Sequence, residues 1–480
     1  MNMDYLLKTA FINPFGENHR EIKQIIEKFT TLLLEHIPIT YYHEQSEDNY
    51  CPVLGEIPET GKPLSEILEN LGKILKGSLN PYQPQYIGHM DSIPTLMSSL
   101  GEYISSSLNN NMLSFEMSPL FSKMEVQLIQ HICQLFGLGK GAGGVMVSGG
   151  TLANIQALCI ARNRAFPTKD MGLHSYSHQP VIFASDCAHT SLQKAAMILG
   201  LGSSAIIPVK TNQHAQMESN DLEEKIRECL LSEKKPFAIV ATAGTTVTGN
   251  IDPLQEIANI AKKYNLWLHV DAAYGGSLVF SSTYKNRIFG IEQADSVTFN
   301  PQKWMYIAKT CAMVLFKDKN LLQDNFRISA PYMNETEFVN LGEISIQGTR
   351  HADILKFWLS LQHIGIEGYD ALIDQSFDLA SFFTREVKKR DFLELATEPE
   401  TNIVCFRITP SNIASQNRDQ WNLKLQKFLL QEEQIFLSLP IFKGSRWLRA
   451  VLLNPYTTKK LVENMFKKID FFIMHNHSQI

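Results

Sequence analysis

The chain has 480 residues, 44% of them hydrophobic, so it can bury a large core but is too long for one simple core, and two or three packed units are expected. Its net charge of -5 comes from charged residues scattered along the chain, which excludes the basic stripe of a nucleic-acid or anionic-membrane binder and leaves small molecules as partners. Seven cysteines (Cys51, Cys133, Cys159, Cys187, Cys229, Cys311 and Cys405) form an odd set without a CxxC pair, and there is neither a signal-peptide pattern nor a run of 18 apolar residues, so a cytoplasmic protein with free thiols and no membrane span is expected.

From Asn18 to about His36 apolar residues recur at helical spacing (Ile22, Ile25, Ile26, Phe29, Leu32, Leu33), which predicts an amphipathic helix whose apolar face packs on its own chain or on a second subunit. A connector follows from about Ile37 to Pro63. The middle of the chain alternates short β-rich runs (GVMVSGG, VIFASD, AIIPVK, FAIVATAG, LWLHVDAA, SVTFNP and AMVLF) with helix-like segments. That alternation predicts an α/β layer structure, a mostly parallel seven-stranded sheet flanked by helices, with ligands bound beyond the carboxyl ends of the strands. From Asp353 the pattern changes to long helices, through Leu361 and again from Tyr369 to Lys388, then to the strands NIVCFRI and WLRAVLL and a last helix from Thr458. The expected organisation is an N-terminal helical segment over 1–80, a large domain over 81–350 and a small C-terminal α+β domain over 351–480.

Four places along this frame carry chemistry. Ser148-Gly149-Gly150-Thr151 joins a buried strand to a helix, where free N–H groups and the positive helix end make a seat for phosphate, or simply a tight turn before a capped helix. His189 follows a strand end, where it is placed to stack on a ring, exchange protons or serve structure alone. Asp271 ends the strand LWLHV among the small residues Ala272, Ala273, Gly275 and Gly276; a carboxylate there either caps the next turn or faces a cation such as a protonated heteroaromatic nitrogen. Lys303, directly after Asn300-Pro301-Gln302, stands where a lysine is either a solvated surface side chain or desolvated and so a better nucleophile toward an aldehyde, with Lys309 its rival in the same segment.

Together HVDAAYGG, NPQKW, DCAHTSLQKAA and ATAGTT closely resemble the pyridoxal-phosphate-dependent group II amino-acid decarboxylases, which act on glutamate, aromatic amino acids, cysteine sulfinate or diaminobutyrate. The resemblance runs from about Asn80 to the end of the chain. It implies the aminotransferase-like fold, pyridoxal 5'-phosphate as cofactor, no metal, and a homodimer with active sites at the interface. By resemblance, Lys303 is the Schiff-base lysine, Asp271 the partner of the pyridinium nitrogen and His189 the imidazole stacked on the ring. Gly150, Thr151 and Asn300 resemble phosphate contacts, Thr246 the hydroxyl near the phenolic oxygen, and Ala273 the residue under the ring face. Gln302 stands where the family most often has histidine, and is carried as a further cofactor contact. Tyr332, in RISAPYMNETEF, resembles the tyrosine that protonates the substrate carbon; with His189 it marks amine release, whereas aldehyde-forming relatives replace one or the other. Arg449, in WLRAVLLNP, resembles an arginine on the substrate carboxylate, with a structural salt bridge as the other reading.

The substrate pocket is expected to draw on QPQYIGHM and SSSLNNNMLSFEMSP, with His89 and Asn111 as candidate contacts. His89, Met90 and Leu113 align with positions that are aromatic in the aromatic-specific enzymes, so the reading favours decarboxylation of glutamate, aspartate, cysteine sulfinate or 2,4-diaminobutyrate. An aromatic-amino-acid decarboxylase, and an aldehyde-forming oxidase or aminotransferase on the same frame, are the alternatives.

Overall fold

All seven of the short apolar runs become strands of one sheet in the computed structural model, which describes residues 10–38, 55, 57–174, 176–328, 338–410 and 414–476. They are β1 (Gly143–Val147), β2 (Gln179–Ser185), β3 (Ile206–Val209), β4 (Lys234–Thr242), β5 (Trp267–Asp271), β6 (Ser296–Phe299) and β7 (Ala312–Phe316), in the order β1-β7-β6-β5-β4-β2-β3. Every pairing is parallel except those of β7, which runs antiparallel to both β1 and β6. Helices cover both faces, so the strands read as near-continuous apolar runs; β5, β6 and β7 have no exposed residue. This is the mostly parallel seven-stranded sheet flanked by helices that the alternation of runs predicts.

Four described helices precede the sheet, the first three being α1 (His19–His36), α2 (Leu64–Gly77) and α3 (Leu96–Leu108). Neither α1 nor α2 buries a residue, and Ile26, Phe29, Leu33 and Leu34 of α1 stay exposed. The apolar face predicted for this helix therefore has no full cover within the described part of its own chain. Helix α4 (Pro119–Leu135) leads into β1, and α5 (Gly150–Ala165) leaves it, with eight buried residues packed under the sheet.

One long element, α6 (Ile354–Lys388), links two cores. Gly365 interrupts it at φ 69°, a left-handed conformation that favours glycine and splits it into the two helices expected from the sequence. Phe357, Tyr369 and Ile373 of α6 join the core around the large sheet. Leu379, Ala380, Phe383 and Val387 join a second core, with the antiparallel strands β8 (Leu393–Leu395), β9 (Ile403–Ile408) and β12 (Leu448–Val451). A short hairpin of β10 (Ile441–Phe442) and β11 (Ser445–Arg446) and the helices α7 (Arg418–Glu433) and α8 (Lys459–Asn476) complete that unit. No described helix is long and apolar enough to cross a membrane.

Candidate functional site

The carboxyl ends of β1, β2, β4, β5 and β6 meet at one cavity of about 180 Å³, and eight of the nine residues read as cofactor contacts line it. An apolar cavity of about 150 Å³ accepts a benzene molecule, so a six-membered ring fits in this volume. Beyond β1, the turn at Gly149 opens α5 without a side-chain cap, so the first N–H groups of a sixteen-residue helix are free to meet an anion. Gly150 and Thr151 line the cavity there. A Cβ on Gly150 would come within 2.8 Å of Nδ2 of Asn300, so the close approach of the β1 and β6 loops needs glycine.

Beyond β2, His189 Nδ1 accepts from the Ser191 backbone N–H at 3.2 Å, which leaves Nε2 to carry the proton of the neutral ring. Burial lowers the pKa of this imidazole, Asp271 opposes that shift and Lys303 adds to it. Beyond β4, Thr242, Gly244 and Thr246 line the cavity. At the end of β5 the buried Asp271 accepts from Asn154 Nδ2 through Oδ2 at 2.9 Å and from the Ala273 N–H through Oδ1 at 3.2 Å. Beyond β6, the Lys303 N–H closes a turn on the Asn300 carbonyl at 3.0 Å and points the lysine toward the cavity it lines. Burial lowers the pKa of its amine, an effect that Asp271 partly offsets. A larger neutral fraction at neutral pH follows, and the neutral amine is the form that attacks an aldehyde.

The cavity matches the groups of pyridoxal phosphate in kind and number. Two polar atoms on its wall, Asn300 Oδ1 and Thr242 Oγ1, are buried without a hydrogen-bond partner, as expected of groups whose partner belongs to a bound molecule. Uncapped helix N–H groups suit the phosphate, the Lys303 amine the aldehyde, and the Asp271 carboxylate a protonated ring nitrogen.

Gln302 is the cofactor residue that does not line the cavity. Its Oε1 accepts from the Cys311 N–H at 2.6 Å, and its own N–H donates to the Cys311 carbonyl, so it staples the turn to the start of β7. Lys309, the rival lysine, is exposed and paired with Asp91, away from the cavity lining. Of the substrate candidates, none lines the cavity. His89 Nδ1 bonds the Tyr86 hydroxyl at 2.7 Å, and its ring lies 4.8 Å from that of Phe436. Asn111 donates to Thr349 Oγ1 at 3.2 Å and accepts from the Leu113 N–H at 2.9 Å. Arg449 is buried and spends its donors on protein oxygens: Ser438 Oγ at 2.9 Å, the Gly88 carbonyl at 3.0 Å and the Thr246 carbonyl. Tyr332 lies outside the described residues.

Sequence reasoning did not single out Asn154, Ser191, Thr242, Gly244 and Tyr274, which also line the cavity. Asn154 was the most accessible of these, since it stands three residues after Thr151 on the same helix and so on the same face. Among the described residues one trio has the spacing of metal ligands, Glu102, His351 and Asp353, but the ammonium of Lys356 already sits on it, 2.6 Å from Glu102 and 2.8 Å from Asp353.

Comparison with known proteins agrees with this geometry. The family model described as pyridoxal-dependent decarboxylase conserved domain matches residues 52–409. Mouse CSAD, in its apo crystal structure, is 27% identical, with a TM-score of 0.87 over 94% of this chain and 98% of that one. The glutamate decarboxylase domain of diaminobutyrate-pyruvate transaminase and L-2,4-diaminobutyrate decarboxylase from Vibrio parahaemolyticus is 25% identical, with a TM-score of 0.87 over 99% of this chain and all of that one. Oryza sativa TDC, solved with PLP and tryptamine, shares the fold at 20% identity, with a TM-score of 0.88 over 96% of this chain and 99% of that one.

Proposed function

This chain belongs to the pyridoxal-dependent decarboxylase family and is a pyridoxal-phosphate-dependent amino-acid carboxy-lyase; from that premise we propose that it decarboxylates a small polar L-amino acid at the cavity around Lys303. The observation that carries the assignment of the site is the convergence of Lys303, Asp271 and His189 from three different strand ends on one cavity. For the substrate class, support comes from His89, Met90 and Leu113, which leave no aromatic cradle, and from two relatives whose names concern CSAD and diaminobutyrate decarboxylase. Glutamate, aspartate, cysteine sulfinate and 2,4-diaminobutyrate are the candidates.

In this reading the first turn of α5, with Gly150, Thr151 and Asn300, binds the phosphate. Lys303 supplies the amine that holds the aldehyde, and the lowered pKa of that amine keeps it available in neutral form. Asp271 would hold the proton on the ring nitrogen, Ala273 and His189 would enclose the ring and exclude water, and Thr246 would offer its hydroxyl to the phenolic oxygen. When bound, the cofactor supplies an electron sink for the bond to the departing carboxylate. Tyr332 delivers the proton to the α-carbon, so that an amine and carbon dioxide leave.

The uncovered apolar face of α1 and α2 supports a homodimer in which residues 1–80 pack on a partner. The interface is read to complete the substrate pocket, which explains why His89 and Asn111 stand outside the cavity of a single chain. Residues 81–350 form the cofactor domain and 351–480 the small domain. The compartment is read as cytoplasmic from the six described cysteines, all unbridged.

A panel of L-amino acids, scored for carbon dioxide and amine against aldehyde, keto acid and ammonia, tests this reading. Turnover of one acidic or diamino substrate to amine is expected. Selective turnover of an aromatic amino acid overturns the substrate class, and aldehyde or keto-acid product overturns the reaction.

A further inference from the structure

From the cavity wall at Asn154 and Ser191, a row of hydrogen-bonded side chains runs past Asp271 into the apolar core. Trp267, His269 and Asp271 alternate along β5 and so share a face, and the parallel register sets His269 beside Ser296 and Asp271 beside Thr298 on β6. Asn154 of α5 joins the two strands. Its Nδ2 donates to Asp271 Oδ2 and to Ser191 Oγ, each at 2.9 Å. Its Oδ1 lies 2.6 Å from Thr298 Oγ1 and 3.0 Å from His269 Nε2. His269 Nδ1 lies 2.8 Å from Ser296 Oγ, which accepts from the Trp267 indole N–H at 2.9 Å. Asn154, His269, Ser296 and Thr298 are all buried.

The orientation of the Asn154 amide gives the row its direction. With Asn154 Oδ1 turned toward Thr298 and His269, a neutral imidazole gives its Nε2 proton to that oxygen and accepts at Nδ1 from the Ser296 hydroxyl, which itself accepts from the indole N–H. Held there by His269 and Thr298, the amide can present only N–H to Asp271. Turning the amide over would set its oxygen against the carboxylate and its NH₂ against two other donors. Burial brings the pKa of His269 down to about 4, which agrees with a neutral ring that donates through one nitrogen only.

We infer that Asn154 and His269 are positioning residues that hold the Asp271 carboxylate oriented toward the ring nitrogen of the cofactor, an inference that rests on the reading of Asp271 given above. Each Asp271 oxygen receives one N–H from the protein, which fixes the carboxylate plane and leaves its remaining lone pairs for a cationic N–H in the cavity. Without the row, the Asp271 carboxylate loses the donor that fixes its Oδ2, so it is free to turn and its hold on the ring proton weakens.

The test uses holoenzyme loaded with pyridoxal phosphate isotope-labelled at the ring nitrogen, whose magnetic-resonance shift reports protonation directly. Asn154→Ala and His269→Leu are expected to lower the pKa of the ring nitrogen by about one unit or more, a tenfold loss in its proton affinity. His269→Gln, which keeps a side-chain N–H toward Asn154, restores most of it. Thr298→Val, which removes only one hydroxyl and suits a strand, moves the shift the same way by less, and it decides the question if His269→Leu does not fold. Unfolding of the cofactor-free variants is followed alongside, since a structural effect alone would lower stability without moving the ring-nitrogen titration. Asp271→Asn separates the two levels. If Asp271→Asn deprotonates the ring nitrogen while the Asn154, His269 and Thr298 variants leave it unchanged, the row has no such role and the inference is overturned. If Asp271→Asn leaves the ring nitrogen protonated, the reading of Asp271 itself fails and the inference goes with it.

Discussion

Replacing Arg449 by lysine separates an anchor from a substrate contact. In the structure the guanidinium of Arg449 bonds Ser438 Oγ, the Gly88 carbonyl and the Thr246 carbonyl, tying β12 to the segment before α3 and to the loop after β4. A lysine ammonium keeps the charge but reaches only one of these three oxygens well, so two charge-assisted hydrogen bonds are lost. At about 1.5–3 kcal/mol each, that amounts to roughly 3–6 kcal/mol. Native proteins are stable by only about 5–15 kcal/mol, so the urea midpoint of Arg449→Lys should fall by roughly a fifth or more at fixed protein concentration. Because Thr246 lines the cavity and its carbonyl is one of the three acceptors, cofactor affinity should fall as well. A variant with the wild-type midpoint and cofactor affinity, but with a raised KM for the amino acid, would refute the anchor and return Arg449 to the substrate carboxylate.

Lys303→Ala should abolish covalent capture of pyridoxal phosphate by borohydride, read as the loss of the mass increment on the intact protein, while Lys309→Ala should retain it. Gly150→Ala places a Cβ 2.8 Å from Asn300 Nδ2, and about tenfold weaker cofactor binding is expected, measured by titration of the cofactor-free protein. His351 has its pKa raised above the ordinary 6.5, first by the hydrogen bond to Asp353. The stabilisation from that pair is therefore complete below about pH 6.5 and is lost as pH rises through the raised value, so the difference in urea midpoint between wild type and His351→Gln should shrink across that window; a difference constant with pH would exclude the pair as its source.

The strands were legible because a parallel sheet covered on both faces needs apolar residues at nearly every position, and seven such runs stand in the sequence. Of the eight residues that line the cavity as expected, Gly150, Thr151, His189, Asp271 and Lys303 stood out at strand ends and helix starts, whereas Thr246, Ala273 and Asn300 came through the family resemblance alone. Gln302 and Arg449 were not legible, because each chooses between the site and a neighbour that only tertiary structure supplies. Gln302 finds the Cys311 N–H nine residues on, through the return of the chain into β7. Arg449 finds Gly88 and Thr246, more than two hundred residues away in either case. The segment 64–108 holds two helices not singled out in the sequence: α2, although Leu64, Ile67, Leu68, Leu71, Ile74 and Leu75 recur at helical spacing, and α3, which buries the small residues Ser98, Gly101 and Ser105 rather than an apolar stripe.

The row that runs past Asp271 shows where a stricter reading of the same letters reaches further. LWLHVD reads at first as an apolar strand with one acidic end. Yet a strand places residues two apart on one face, so Trp267, His269 and Asp271 must stand in line whatever the rest of the chain does. Buried polar groups need partners, and a histidine in the middle of a strand between two apolar neighbours demands donors or acceptors from the next element. Ser296 and Thr298, with the same two-residue spacing in SVTF, are the matching row. What the sequence does not contain is the third member: that Asn154, on a helix more than a hundred residues earlier, drops its amide between the two rows follows from the packing of α5 under β5 and β6. Periodicity alone thus exposes half of a polar network, and the unmet hydrogen-bonding capacity of that half tells where to look for the other.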